Sequence, residues 1–568
     1  MRIRLGWPRC FFSIVYDFTE YLGSFSPSGG RSGRGGNGYV ALPTPYLPLP
    51  NPQTERTLFS TSFAPSTPGF PSIKGKAKKE AGPEWKLASK TIFIILIGTV
   101  TLISGCSLGP LYRRPSIASP ETYRGQVDAV EAASFADLPW WEVFGDDELK
   151  GLVEEALKNN YDLRIAAARI EEARAFVGIV RSELFPQIDY EGGAGRAHSA
   201  GQFFVPVPGG QTKDVFKGLF NLAWEFDVWG RIRHATDAAL AELLASEEFR
   251  RGVILSLVSE VSQAYFELRE LDLELEIARR TADSFQTTLE LFSRRLQMGV
   301  ASKLETARAE AALASTSAVI PNLERFIIAK ENQLNVLLGR PPQPIPRGAV
   351  LTGQMFPPKT PPGLPSQLLE RRPDIRLAEQ VIVAANARIG VAQANFFPRI
   401  GLTSFFGGAS DDIENVVKES GNIWAAVGQL AGPLVQGGRL YGNYQAAVAQ
   451  WEQTQLQYQQ AVIIALQEVS NALTNQQKLA ETRQEQARAV DALQESVRLA
   501  TLRYTGGFAT YFEVIEAQQQ LFPAENALAQ VQRDQLIAVV QLYKALGGGW
   551  SGYEEQPEPP PLWQVALP

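Results

Sequence analysis

Residues 216–228, FKGLFNLAWEFDV, alternate between apolar and polar side chains. In an extended chain the two kinds fall on opposite faces: Phe220, Leu222, Trp224, Phe226 and Val228 on one, and Asn221, Glu225 and Asp227 on the other. This period of two predicts a β-strand with lipid on one side and water on the other. A half-buried strand in a soluble sheet has the same period, so the alternation alone leaves both interpretations open.

Other segments show the same period more weakly. They are residues 187–191 and, in the second half of the chain, two sets of side chains: Ile400, Leu402 and Phe406, and Trp424, Ala426 and Leu430. We therefore predict strands at about 186–196, 216–228, 398–408 and 422–433. They form two hairpins, with tips near residues 198–213 and 411–421.

Four strands are long enough to cross an outer membrane but too few to close a barrel. An open sheet edge in hydrocarbon leaves backbone N–H and C=O groups unpaired, at several kcal/mol each. Identical chains are therefore expected to share one barrel. Two chains would give eight strands with a filled interior, whereas three would give twelve strands with room for a water-filled lumen.

The chain contains two copies of the same pattern. Phe185-Pro186 and Phe397-Pro398 match at an offset of 212, and Gly230-Arg231, Gly299 and Leu338-Gly339 match Gly438-Arg439, Gly507 and Leu546-Gly547 at an offset of 208. In each copy we predict a helix that ends at Phe-Pro (about 146–184 and 366–396), two strands, a long helix, a glycine turn and a second long helix.

The long helices have the apolar spacing of coiled coils. Ile254, Leu257, Val261, Ala264 and Leu268 are separated alternately by three and four residues. A helix from about 231 to 297 would be close to 100 Å long at 1.5 Å per residue. A cytosolic coiled coil is the alternative. The pattern therefore predicts a fold class that is mainly α with a membrane β part, built from two tandem repeats with long coiled-coil helices.

The N-terminal part of the chain has a different character. Residues 1–85 are rich in Gly, Pro and Ser and are expected to be disordered or untranslated. Residues 86–105 contain two lysines, thirteen uncharged and mostly apolar residues and a small-residue end, as in a signal peptide. Because no Met lies between Met1 and Met298, translation is expected to start near Leu87 at a non-Met codon.

The segment Ile103-Ser104-Gly105-Cys106 is similar to a bacterial lipobox, in which Cys106 becomes a lipid-modified N-terminus. The alternative is an ordinary signal peptide followed by an incidental cysteine. Residues 106–350 and 351–550 are then the first and second repeats, and residues 551–568 are a Pro-rich tail. A covalent lipid is the only cofactor that we expect.

The composition argues against several other classes. Two Cys and two His make a disulfide scaffold, a metal cluster or a catalytic triad unlikely, so an enzyme is not expected. Lys and Arg number 54 against 60 Asp and Glu, which gives no general footprint for nucleic acid.

Several motifs together resemble the TolC-like outer-membrane efflux factors, most closely the lipoproteins of resistance-nodulation-division pumps. The motifs are Cys106, Trp140-Trp141 with Phe144, residues 370–376 (ERRPDIR), residues 385–390 (ANARIG), residues 397–400 (FPRI) and Gly437-Gly438-Arg439. The resemblance covers residues 106–550. It implies a homotrimer in which four transmembrane strands per chain complete a trimeric 12-stranded β-barrel in the outer membrane, continued into the periplasm by a long coiled-coil α-helical barrel. It also implies a periplasmic adaptor protein and an inner-membrane pump as partners.

The resemblance also implies a gate at the periplasmic tips. It places Gly299 and Gly507 at the turns where an adaptor docks, and it makes Phe512 and Glu516 the constriction residues, in rings of three. Four residues apart, these two share a helical face; a solvated Glu516 and a core Phe512 are the alternative.

Two residues before the second turn are candidates for a latch. Arg503 and Tyr504 could close the tip through hydrogen bonds or an ion pair, or could have an ordinary surface role. In the first copy, Leu304 and Arg308 take the places of Phe512 and Glu516.

The predicted function is a passive, gated outer-membrane conduit for small molecules in a tripartite efflux system. A conduit for protein secretion by a type I system would share the whole architecture. A periplasmic adaptor or adhesin would lack the alternating strands.

Overall fold

The computed structural model describes residues 107–117, 120–125, 134, 137–138, 145–199, 211–354 and 361–548. The helices are α1 (Asp147–Asn159), α2 (Tyr161–Ser182), α3 (Arg231–Gln297), α4 (Lys303–Ser317), α5 (Val319–Leu337), α6 (Leu368–Arg371), α7 (Pro373–Ala394), α8 (Arg439–Thr505) and α9 (Tyr511–Ala545). The strands are β1 (Gln187–Ser199), β2 (Gln211–Phe226), β3 (Arg399–Ser410) and β4 (Asn422–Ala431). The predicted leader, Cys106, Trp140, Trp141, Phe144 and the Pro-rich tail lie outside the described residues.

The four strands form one antiparallel sheet in the order β1-β2-β3-β4. β1 pairs with β2, and β3 with β4, as the two predicted hairpins; β2 and β3 then join the two repeats. Within the described part of the chain, β1 and β4 each have a strand on one side only.

The strand register separates the two faces of the sheet. Tyr190 lies opposite Phe220, Phe220 opposite Phe406, and Phe406 opposite Trp424, so one cross-strand row is aromatic in all four strands. The same face carries Ile188, Leu222, Trp224, Phe226, Ile400, Leu402, Ala426 and Leu430. The opposite face carries Asp189, Glu191, Lys217, Asn221 and Glu225 together with fewer apolar side chains. The predicted two-faced sheet is therefore present.

The strand ends differ from the prediction at β2. This strand is Gln211–Phe226, so it starts five residues before the predicted position, and Asp227 and Val228 are not part of it. The Asp227 carboxylate instead accepts hydrogen bonds from the backbone N–H groups of Ile232 (3.0 Å) and Arg233 (2.9 Å). Asp227 thus satisfies free donors at the start of α3, where a carboxylate also suits the helix dipole.

α3 and α8, with 67 residues each, are the two longest helices and occupy equivalent places in the two repeats. Positive-φ glycines flank them at the same offset of 208: Gly230 and Gly438 at the helix starts, and Gly299 and Gly507 after the helix ends. Glycine adopts this left-handed conformation without the steric cost of a Cβ atom. The coiled-coil positions Ile254, Leu257, Val261, Ala264 and Leu268 are all buried.

The main hydrophobic core lies where α1, α3, α5, α7, α8 and α9 meet. Its largest fully buried side chains include Tyr265 and Phe266 on α3, Tyr458 on α8 and Tyr543 on α9. The core therefore packs the two repeats against each other.

The single helices predicted at 146–184 and 366–396 are wrong, because both are interrupted at the same place in the repeat. Asn160 separates α1 from α2: its side-chain oxygen accepts from the Leu163 N–H at 3.0 Å, while its amide donates to the Leu337 carbonyl at 2.9 Å. At the equivalent position, Arg372 precedes α7, which begins with Pro373. The helix that follows the glycine turn of the first repeat is also divided, at Ala318, into α4 and α5. Its counterpart in the second repeat, α9, is continuous.

Among the described residues, no helix combines the length and the apolar character that crossing a membrane requires.

Candidate functional site

The turns at Gly299 and Gly507 have the same backbone geometry. At the first, Val300 N–H donates to the Arg295 carbonyl at 2.9 Å and Gly299 N–H to the Leu296 carbonyl at 2.9 Å; the second repeats this pattern from Phe508 and Gly507. These paired bonds satisfy carbonyls that the helix end leaves free. Exposed apolar side chains flank both turns, with Met298 69%, Val300 72% and Phe508 81% exposed.

Phe512 and Glu516 lie on the exposed face at the start of α9. Phe512 is 49% exposed in the single chain, and Glu516 is also exposed. The neighbouring Val514, Ile515 and Ala517 are buried, so the orientation of the helix is set by packing on its other side. A Phe512 buried in the core of the chain is therefore ruled out as an interpretation, while the role of both residues in a gate stays a prediction.

Phe512 has a cationic neighbour from the first repeat. The guanidinium carbon of Arg308 lies 5.0 Å from the centre of the Phe512 ring, within the range of a cation–π interaction. Arg308 belongs to α4 and is the counterpart of Glu516 at the offset of 208. Sequence reasoning noted this position but did not predict the contact.

The two predicted latch residues make different contacts. Arg503 forms an exposed ion pair with Glu513 (3.2 Å), which joins α8 and α9 within the second repeat. Tyr504 instead reaches the first repeat: its hydroxyl accepts a hydrogen bond from Arg295, whose guanidinium carbon lies 5.4 Å from the ring centre. Of the two predicted latch residues, Tyr504 is therefore the one that connects the two repeats within the chain.

Tyr511 extends this connection toward α3. Its ring packs edge-on against Phe292 (4.9 Å) and Tyr504 (4.8 Å), and its hydroxyl bonds the Thr288 hydroxyl. Burial raises the pKa of Tyr511, which therefore stays neutral. The sequence did not predict a role for Tyr511, although it did predict one for the neighbouring Phe512.

The N-terminal segment meets the chain where the sheet gives way to the helices. Leu108 N–H donates to the Trp229 carbonyl at 3.2 Å, and the Ser107 hydroxyl lies 2.8 Å from the His234 ring nitrogen. Trp229 itself donates to the Pro398 carbonyl at 2.7 Å and stacks on Phe397. Residue 107 is therefore fixed at the boundary between β2 and α3.

The sheet and the helical tips define a membrane-inserted channel subunit with a long helical extension. The family of the outer membrane efflux proteins matches residues 152–340 and 364–548, one match in each repeat. The chain belongs to this family. It is an outer-membrane efflux channel and not an enzyme.

The match extends over nearly the whole length of the known members. The toluene efflux pump outer membrane protein TtgI of Pseudomonas putida is 33% identical over 473 residues, which are 82% of this chain and 99% of TtgI. The probable outer membrane lipoprotein SilC of Salmonella typhimurium is 31% identical over 466 residues, 80% of this chain and 98% of SilC.

A solved structure shows the same fold. The open state of the MtrE outer membrane channel of Neisseria gonorrhoeae superimposes with a TM-score of 0.71 at 30% identity, and the match covers 78% of this chain and 99% of MtrE. The predicted fold class is confirmed.

Proposed function

We propose that three copies of this chain form one passive conduit through the outer membrane, through which small molecules leave the cell. The sheet supports this proposal best: one face is apolar in all four strands, and its two outer strands lack a second neighbour within the described chain. Three sheets joined edge to edge would pair these backbone groups and enclose a lumen lined by the polar face.

The helical end would be the gated entrance. The exposed Phe512 and Glu516 would form rings of three around the axis, and the carboxylates would repel anions and one another. The apolar side chains around Gly299 and Gly507 offer a surface to a periplasmic adaptor protein, which would link the channel to an inner-membrane pump. The name of TtgI, a toluene efflux pump protein, supports small molecules as the class of substrate.

The oligomeric state can be measured directly. Native mass spectrometry of the detergent-extracted protein is expected to give three times the mass of the processed chain, because only a shared barrel pairs the edges of β1 and β4. A folded monomer, or a dimer with eight strands, would contradict the proposal. Denaturation of the same sample gives the single-chain mass as the reference.

The lipid on Cys106 belongs to the same proposal. Ser107 contacts His234 at the start of α3, and the next residue, Leu108, bonds Trp229. Aromatic residues such as Trp229 favour the membrane interface. An acyl group on the preceding residue would enter the periplasmic side of the same outer membrane. SilC, a probable lipoprotein, supports this assignment.

Cys106→Ala is expected to abolish labelling of the protein by an alkyne analogue of palmitate in growing cells, because no other mature residue would accept the lipid. Ser107→Ala, which leaves the cysteine in place, is the matched control and should keep the label. Labelling that survives in Cys106→Ala would show that Cys106 is not the attachment site.

A further inference from the structure

Polar contacts join α3 of the first repeat to α9 of the second along the way to the tips. From the tips upward they are Thr288 with Tyr511, Ser284 with Gln518 (2.9 Å), Arg280 with Glu525 (2.7 Å), Glu274 with Gln530 (2.9 Å) and Glu270 with Arg533 (3.2 Å). We call this row the α3–α9 seam. An exchange of these contacts for contacts with water costs much less than exposure of apolar surface.

The seam ends where the main core begins. Leu268 on α3 and Leu536 and Val539 on α9 are buried members of that core, directly beyond Glu270 and Arg533. Below this point the contacts of α9 with α3 are largely polar, apart from the core member Ala529 and the ring contact of Tyr511 with Phe292. Val514 and Ala517 of α9 are buried in a separate cluster with Ala500 of α8. Separation of the two helices from the tips upward would stop at the Glu270–Arg533 contact.

At the Glu270–Arg533 contact, acidic side chains outnumber basic ones. Glu270 and Glu274 are only 4% and 8% exposed, and they lie one turn apart on α3. Arg533 is the cation that reaches Glu270, and it also pairs with Asp534 at 2.7 Å. Gln530 donates to Glu274 but carries no charge. Two buried carboxylates so close to each other are costly to ionise together.

A proton reduces this cost. Burial, with the neighbouring Glu274 carboxylate as the next cause, raises the pKa of Glu270 to about 8. Other charged side chains of this part of α3 are paired with one another or with other segments: Arg269 with Asp272 (2.6 Å), Asp272 with Arg347 (3.1 Å), and Glu267 with Lys330 of α5 (2.6 Å). The turn at Leu351–Gly353, which packs on both α3 and α9, has no ionisable side chain.

We propose that Glu270, Glu274 and Arg533 form a proton-binding site that controls how readily α9 separates from α3. A proton on Glu270 stabilises the packed seam, and its loss favours separation up to the edge of the core. This inference rests on the proposed gated conduit, because it makes the packing of α9, which carries the proposed gate residues, against α3 dependent on pH.

The direction of the pH effect follows from the two states of Glu270. In the separated seam, water reaches the carboxyl group and its pKa returns to the ordinary value near 4.5. The packed seam then binds the proton more tightly than the separated one. Separation is favoured increasingly as the pH rises from about 4.5 to about 8, by up to about tenfold per pH unit, and does not change above that range.

The test measures access to the seam with a thiol reagent. Ser284→Cys places a thiol inside the seam, and Thr287→Cys places one on the exposed face of the same helix. The remaining cysteine of the processed chain, Cys106, is expected to be blocked by its lipid, and the parent without an added cysteine gives the background. The ratio of the two maleimide labelling rates in purified full-length protein cancels the pH dependence of the reagent. We expect this ratio to rise between pH 6 and 8 and to level off above.

Glu270→Gln removes the titrating group and should give a low, pH-independent ratio. Glu274→Gln removes the neighbouring charge and should move the midpoint to lower pH, which provides a second test if the first variant does not assemble. Glu276→Gln, an exposed carboxylate on the same helix, is the matched control and should keep the parent profile. A flat ratio in the parent, or an unchanged midpoint in both buried-site variants, would overturn the proposal. Replacement of Phe512 and Glu516 should not alter the ratio, so a failure of the gate assignment is distinguished from a failure of this one.

Discussion

Replacement of Phe512 and Glu516 together by alanine is expected to raise the single-channel conductance in planar bilayers about twofold or more. The Phe512 side chain is half exposed, and Glu516 presents its carboxylate one turn further along the same face. In a trimer the double substitution removes three rings and three charges from the proposed constriction. Conductance should rise because the opening widens, and cation preference should fall because the fixed negative charge is lost.

A matched control exists on the neighbouring helix. Leu499 and Glu495 are also an exposed apolar and acidic pair four residues apart, on α8 just before the second turn. Leu499→Ala with Glu495→Ala should leave conductance unchanged, since neither residue belongs to the predicted constriction. If both double variants behave alike, or if Phe512→Ala with Glu516→Ala has the parent conductance, the gate lies elsewhere.

The contact between Arg308 and Phe512 shows what the sequence could and could not predict. The offset of 208 identified Arg308 as the counterpart of Glu516 in the first repeat. It could not show that Arg308 reaches the Phe512 ring, because that distance depends on how α4 packs near α9. The same holds for Arg295 and Tyr504, which lie more than 200 residues apart in the chain.

Periodic features were the most predictable. The strand alternation and the glycine turns follow from local geometry: the turns lie where they were predicted, and the strand ends lie within five residues of the prediction. The interruption at Asn160 was missed because the residue acts through a carbonyl of α5, at Leu337, which local periodicity does not contain. The buried Glu270 was missed for a similar reason: on a long helix an acidic residue suggests a solvated face, and only the packing of α9 buries it.

The orientation of the sheet leads to the second large effect. Leu222→Arg is expected to prevent stable assembly in the outer membrane, because Leu222 belongs to the apolar face, between the aromatic row at Phe220 and the end of the strand at Phe226. An arginine in the middle of the lipid-facing surface costs about 2–4 kcal/mol, and a trimer would incur this cost three times. The measurement is the amount of folded trimer in outer-membrane fractions, resolved by electrophoresis without heating.

Ala223→Arg is the control, since it places the same side chain one residue further along β2 and hence on the opposite face. Ala223 lies opposite Gln187 and Thr403, both polar, and in a shared barrel an arginine there would project into water. This variant should assemble at close to the parent level and change only the ion selectivity of the pore. Equal loss of trimer in both variants would mean that the two faces do not differ in environment. Loss in Ala223→Arg alone would mean that the apolar face, and not the polar one, encloses the interior.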